Sequence, residues 1–138
     1  MLDTFANRSQ KYAPLCLRFG LAFVFFLFGL KKLMNPEQST AEIQLLLSFE
    51  LADAAALSFY LGLIEILTAI SFLFGFKVRA FALVSAALTI LFFSSFLVKY
   101  GLSINPDLYR DVGLFGAAIA LFLLGAGPLS LDNRFRHE

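Results

Sequence analysis

A chain of 138 residues that is 59% hydrophobic and only 15% charged, with a mean hydropathy of +0.80, carries more apolar side chain than a soluble domain of this length can hide, so its expected solvent is a lipid bilayer. A net charge of +1 without a basic cluster excludes an electrostatic nucleic-acid binder. The only cysteine, Cys16, excludes an intramolecular disulfide cycle and a cysteine-held zinc or iron-sulfur centre within these residues, and the only histidine, His137, excludes paired histidine ligation of haem.

The first apolar segment, 15–33, is long enough to cross the roughly 30 Å hydrocarbon layer, for which about 20 residues suffice. Arg8 and Lys11 precede it as they would a signal peptide, but "FGLKKLMNPE" has no small-x-small cleavage site, so a retained span is expected. The triplet Asn35-Pro36-Glu37 then starts a helix: Asn is a good N-cap, Pro suits the first helical position, and an acid there complements the helix dipole. Because "STAEIQLLLSFELADAA" mixes Glu42, Gln44, Glu50 and Asp53 with apolar residues, this helix is expected to lie at the membrane interface.

A second span is expected over 54–76 and a third over 80–98, joined by "FGFKVRA", a link so short that the two are antiparallel neighbours. The triplet Asn105-Pro106-Asp107 opens a fourth span, 106–126, with Arg110 and Asp111 about one turn inside its start. The expected fold is therefore all-α: a four-transmembrane-helix bundle with an interfacial helix between the first and second spans, forming one membrane domain over 1–138. The Asn-Pro-acid triplet in each half also hints weakly at a two-plus-two repeat.

Charge bias sets the orientation. Four spans put both termini on one side, with Arg8, Lys11, Arg18, Lys77, Arg79, Arg134 and Arg136. The other side has Lys31, Lys32, Lys99 and Arg110 among Glu37, Glu42, Glu50, Asp53, Asp107 and Asp111. The positive-inside rule places both termini in the cytoplasm, and the expected location is a multi-pass cytoplasmic (inner) membrane protein.

Glu65 is the residue that calls for explanation, an acid in the middle of "YLGLIEILTAISFLFGF". Ser58, Gly62, Glu65, Ala69 and Phe72 share one helical stripe, and this small, partly polar face should meet protein, because a carboxylate facing lipid is costly. On the first helix Arg18, Ala22, Phe25, Gly29 and Lys32 share a stripe, with Arg18 near enough to the cytoplasmic end to snorkel. On the fourth, Arg110 shares a face with Gly113, Ala117 and Ala120. Convergence of these faces would make an outer-leaflet pocket containing Glu65 and ringed by Lys32, Arg110 and Asp111. Equally, Glu65 could be interhelical glue, and Lys31, Lys32 and Lys99 could be interface anchors. Ser85 and Thr89 read as packing contacts, and the 18 phenylalanines as lipid-facing and core bulk that would also suit a flat apolar ligand.

The succession "LRFGLAFVFFLFGLKKL", "LGLIEILTAISFLFGFKVRAFAL" and "RDVGLFGAAIALFLLGAGPLSLD" resembles the DoxX family of small four-helix membrane proteins, over nearly all of residues 15–132. The resemblance rests on Arg18, Gly29 and Lys32 in the first helix, Glu65 in the second and the closing "GAGPLSLD" of 125–132. It implies a membrane subunit associated with quinone-linked oxidation, or an adaptor or assembly factor, and supplies no catalytic residue.

Two expectations follow. One is a redox-associated subunit, itself without cofactor or metal, that binds a quinone or other lipid-soluble ligand. In it Glu65 exchanges a proton, Lys32, Arg110 and Asp111 complete the binding site, and a partner subunit carries the redox centre. The other is a non-catalytic membrane adaptor that docks another membrane or exported protein. Either is compatible with a homo-oligomer.

Overall fold

The computed structural model describes residues 9–47, 53–101 and 106–134, and every element among them is helical. Expectations concerning Arg8, Glu50, Asn105, Arg136, His137 and the side chain of Asp107 lie outside the described residues. After a short 3-10 turn at Gln10–Tyr12, the helices are α1 (Ala13–Met34), α2 (Pro36–Leu47), α3 (Ala54–Phe74), α4 (Val78–Tyr100), α5 (Pro106–Leu124) and the one-turn α6 (Leu131–Arg134). Both Asn-Pro triplets do precede helices, α2 beginning at Pro36 and α5 at Pro106.

Among the described residues three stretches are long and apolar enough to cross a membrane: Gln10–Met34, Ala54–Phe74 and Val78–Tyr100. Helix α5 has a comparable length of 19 residues, but Asp107, Arg110 and Asp111 fall within its first two turns and lower its apolarity. The helix ends differ from the expected spans for local reasons. Pro14 fits the first turn of α1, which therefore starts before residue 15. Helix α3 stops at Phe74 because Gly75 takes a left-handed conformation, φ 71°, and the amides of Gly75 and Phe76 both donate to the Ser71 carbonyl. Helix α4 starts early, at Val78, because its first amides find a remote cap: Asp132 accepts from the Lys77 and Val78 N–H groups at 2.6 and 2.8 Å. Its other end runs past Lys99 to Gly101.

The helices associate chiefly as two pairs, α1 with α3 and α4 with α5, while α2 lies mainly against α3. The first pair is drawn together by glycine. A Cβ on Gly29 would come within 2.7 Å of the Gly62 carbonyl oxygen and 2.8 Å of Ile66, so the backbones approach as closely as two helices can. The pairs share one apolar core, built from Leu21, Ala22 and Phe25 of α1, Ala69 and Phe72 of α3, Val78, Ala82 and Ala86 of α4, and Ala118 and Leu121 of α5. Phe19, Phe23, Leu67, Leu73, Leu91 and Leu123 lie on the outside, as a lipid-facing surface requires.

Arg18 closes the end of the bundle where α3 stops and α4 starts. Snorkelling was expected of it; instead its side chain is buried and donates to four carbonyls. Nε reaches Phe72 O at 2.8 Å, Nη2 reaches Leu73 O at 3.1 Å, and Nη1 reaches Ala126 O and Leu129 O at 3.0 and 3.5 Å. The first two belong to the last turn of α3, whose carbonyls have no partner within the helix, and a cation is also favourable at that end of the dipole. Gly75 is required there twice over, by its positive φ and because a Cβ would lie 2.6 Å from Arg18 Nη2 and 2.5 Å from Ser130 Cβ.

Candidate functional site

Toward the opposite end of the bundle both helix pairs and α2 line a cavity of about 430 Å³. This volume lies within the range of about 300–1,000 Å³ usual for small-molecule sites. Helices α1 and α3 contribute Phe25, Phe28, Lys32 and Glu65, and α4 and α5 contribute Thr89, Phe92, Phe96, Tyr100, Arg110 and Asp111. Helix α2 adds Ser39, Glu42 and Ile43. The four residues singled out in the sequence, Glu65, Lys32, Arg110 and Asp111, thus line one cavity.

Glu65 sits about midway along α3, 2% exposed. The Lys32 ammonium bridges its two carboxylate oxygens, Nζ being 2.7 Å from each. Such a pair forms because Gly29, one turn before Lys32, and Gly62, one turn before Glu65, bring α1 and α3 together there, leaving Lys32 no farther to reach than its own stem. The ammonium also lies 5.3 Å from the centre of the Phe92 ring and 5.8 Å from that of Phe28, so two aromatic rings flank it.

On α5 the sequence locates the right turn but not the right rotation. Arg110, Gly113, Ala117 and Ala120 were expected to form the packing face. Instead Leu108, Asp111, Ala118 and Leu121 are buried, Gly113 and Gly116 are exposed, and a Cβ on either glycine would meet nothing within 4 Å. Asp111 is therefore the inward residue, with a side chain 5% exposed. Arg110, 42% exposed, curls over it, its Nη2 3.1 Å from Asp111 Oδ1, and its guanidinium lies 4.7 Å from the centre of the Phe28 ring. That contact links α5 to α1 across the cavity.

Among the lining residues that sequence reading did not assign to the site are Thr89 and Ser39. Thr89 was assigned to packing; it also lines the cavity, its hydroxyl donating to Ser85 O at 2.8 Å. Ser39 drew no attention in "STAEIQ", yet it is 2% exposed, and its Oγ has no hydrogen-bond partner. Lys31 and Glu42 form a third ion pair at the rim, 2.9 Å apart and about half exposed, which ties α2 to α1. Among the described residues three cations and three acids line the cavity, and their formal charges cancel. The surface is polar but formally neutral, with aromatic walls, and suits an uncharged ligand that has an apolar body and a few hydrogen-bonding atoms.

These features define a small all-helical membrane protein with a lined cavity among its helices. The DoxX family profile matches residues 13–99, more than half of the chain, and the protein belongs to that family. The matched stretch contains Lys32 and Glu65 and stops short of Arg110, Asp111 and the 125–132 motif, so it is narrower than the resemblance read from the sequence. No curated protein and no solved structure matches the chain.

Proposed function

We propose that this DoxX-family protein is a membrane subunit of a quinone-linked redox system and that the cavity beside Glu65 receives the quinone head group. The observation that carries the reading is the set of four phenylalanines, Phe25, Phe28, Phe92 and Phe96, walling a cavity whose described charged residues cancel formally and into which the Lys32–Glu65 pair is built. An uncharged aromatic ring with carbonyl oxygens fits such a lining. Bound there, a quinone would supply a two-electron acceptor that also takes up two protons on reduction. Of the protein's own groups, the Lys32 ammonium is placed to donate a hydrogen bond to a carbonyl oxygen. Glu65 is placed to accept from a hydroxyl and to relay a proton, and Arg110 to stabilise negative charge at the rim. The electrons come from a partner subunit bearing the cofactor.

In this reading the whole chain is one membrane domain of four spans, α5 being the fourth, and α2 lies at the interface. The end closed by Arg18 has Lys11, Lys77, Arg79 and Arg134, whereas the cavity end mixes Lys31, Lys32, Lys99 and Arg110 with Glu37, Glu42, Asp53 and Asp111. The positive-inside rule then assigns the Arg18 end and both termini to the cytoplasm of a cell whose inner membrane holds the protein, and the cavity to the outer leaflet.

The exposed glycine face of α5 favours a second reading, a non-catalytic adaptor, because Gly113 and Gly116 leave that surface free for close approach by another helix. Purification from the native membrane in mild detergent, with mass spectrometry of bound proteins and small molecules, separates the two. A quinone or a cofactor-bearing subunit is expected; a stable protein partner with neither would establish the adaptor. Within the redox reading, Glu65→Gln should lower turnover by about 10²–10⁴-fold while the assembled protein persists, and normal turnover would remove the proton-transfer role.

A further inference from the structure

Five hydroxyls of α3 and α4 share a pattern that Ser39 does not follow. Thr68, Ser85, Thr89, Ser94 and Ser95 each donate to a carbonyl three or four residues earlier in their own helix, at 2.7 to 2.9 Å. That is how a hydroxyl in an apolar helix is satisfied without outside help. Ser39 has the same opportunity one turn inside α2, where its backbone N–H donates to Asn35 O, yet its hydroxyl remains unbonded at 2% exposure. A buried polar group without a partner is costly, and such groups in native structures call for a specific reason. Ser58, on α3, is the other described side chain in this condition, but it does not line the cavity. Ser39 does.

We infer that Ser39 is a ligand-anchoring residue: its hydroxyl hydrogen-bonds an oxygen of the bound head group, making α2 the element that recognises the ligand. This rests on the quinone reading and adds a residue to it. A serine hydroxyl turns among staggered rotamers and both donates and accepts. It therefore serves a carbonyl and, equally, the hydroxyl that replaces it on reduction, so Ser39 holds both forms of the ligand. Glu65, as a carboxylate, only accepts and so favours the reduced form, and Lys32, which can donate to either oxygen, cannot accept from the new hydroxyl. Because α2 is tied to α1 at the rim by Lys31–Glu42, engagement of Ser39 also fastens α2 against the cavity.

The test uses decyl-ubiquinone and the full-length protein in nanodiscs, and reads ligand affinity and the melting temperature of the ligand-free protein. Ser39→Ala should weaken binding about five- to tenfold, the worth of one hydrogen bond, while the ligand-free protein melts at the same or a higher temperature because an unsatisfied hydroxyl has gone. Ser39→Thr, which keeps the hydroxyl, should retain most of the affinity. Ser58→Ala should match Ser39→Ala in its effect on melting and leave binding unchanged. Wild-type affinity in Ser39→Ala, or equal loss in Ser58→Ala, overturns the assignment of Ser39 while leaving the quinone reading intact. Failure of the wild-type protein to bind decyl-ubiquinone overturns that reading together with the inference resting on it.

Discussion

The Lys32–Glu65 pair illustrates how little a buried ion pair says about stability by itself. Removing two charges from water costs several kcal/mol each, and attraction at 2.7 Å returns this only when hydrogen bonding is complete. Losing one partner is another matter, since the survivor remains a charge in an apolar bundle. Lys32→Ala should therefore destabilise the protein by about 3–5 kcal/mol, whereas Lys32→Met combined with Glu65→Leu should come within about 1 kcal/mol of wild type. Reversible unfolding in bicelles measures both. Ligand binding should be lost in both variants, and a double variant that keeps it would show that the pair serves packing alone.

At the scale of the helices, two contacts decide how the elements meet. Gly29→Ala places a methyl group 2.7 Å from the Gly62 carbonyl and must push α1 from α3, with an expected loss of about 1–3 kcal/mol. Gly116→Ala meets nothing within 4 Å and should be neutral or stabilising by up to about 1 kcal/mol, the difference in helix propensity. Thermal unfolding of the two variants in one detergent checks the contrast; destabilisation by Gly116→Ala would instead reveal a partner on the exposed face of α5. Arg18→Lys should cost at least about 3 kcal/mol, because one ammonium cannot replace a guanidinium that reaches four carbonyls on two segments. It should also expose residues 125–134 to proteolysis.

How far the elements and the site could be read in advance depended on whether the deciding contact was local. Spacing along α1 and α3 placed Lys32 and Glu65 on facing stripes because small residues at three- and four-residue intervals mark the close surface. On α5 the charged turn was legible, but Arg110 and Asp111 lie 100° apart on a helix, and packing against α4 turned Asp111 inward. Arg18 was misread as snorkelling because two of its acceptors, Ala126 and Leu129, are 108 and 111 residues away. Ser39 was invisible because the lack of a hydrogen bond leaves no mark in a sequence.

For the molecule as a whole, the asymmetry of charge between its ends predicts its orientation. A fluorescent protein fused after residue 138 should fold in the cytoplasm and glow, and a secreted phosphatase at the same site should be inactive; the reverse result would invert the assignment and place the cavity in the inner leaflet.

The arrangement around Arg18 sets a schedule for assembly. During synthesis at about 5–20 residues per second, α1 enters the membrane roughly 5–20 s before Ala126 and Leu129 exist to receive its guanidinium. Until then its guanidinium has only the Phe72 and Leu73 carbonyls to receive it, and the cap that Asp132 provides for α4 is also missing. The bundle is thus fastened from residues made late back to residues made early, and a nascent chain that has not reached Ala126 leaves the Arg18 guanidinium with two of its four acceptors.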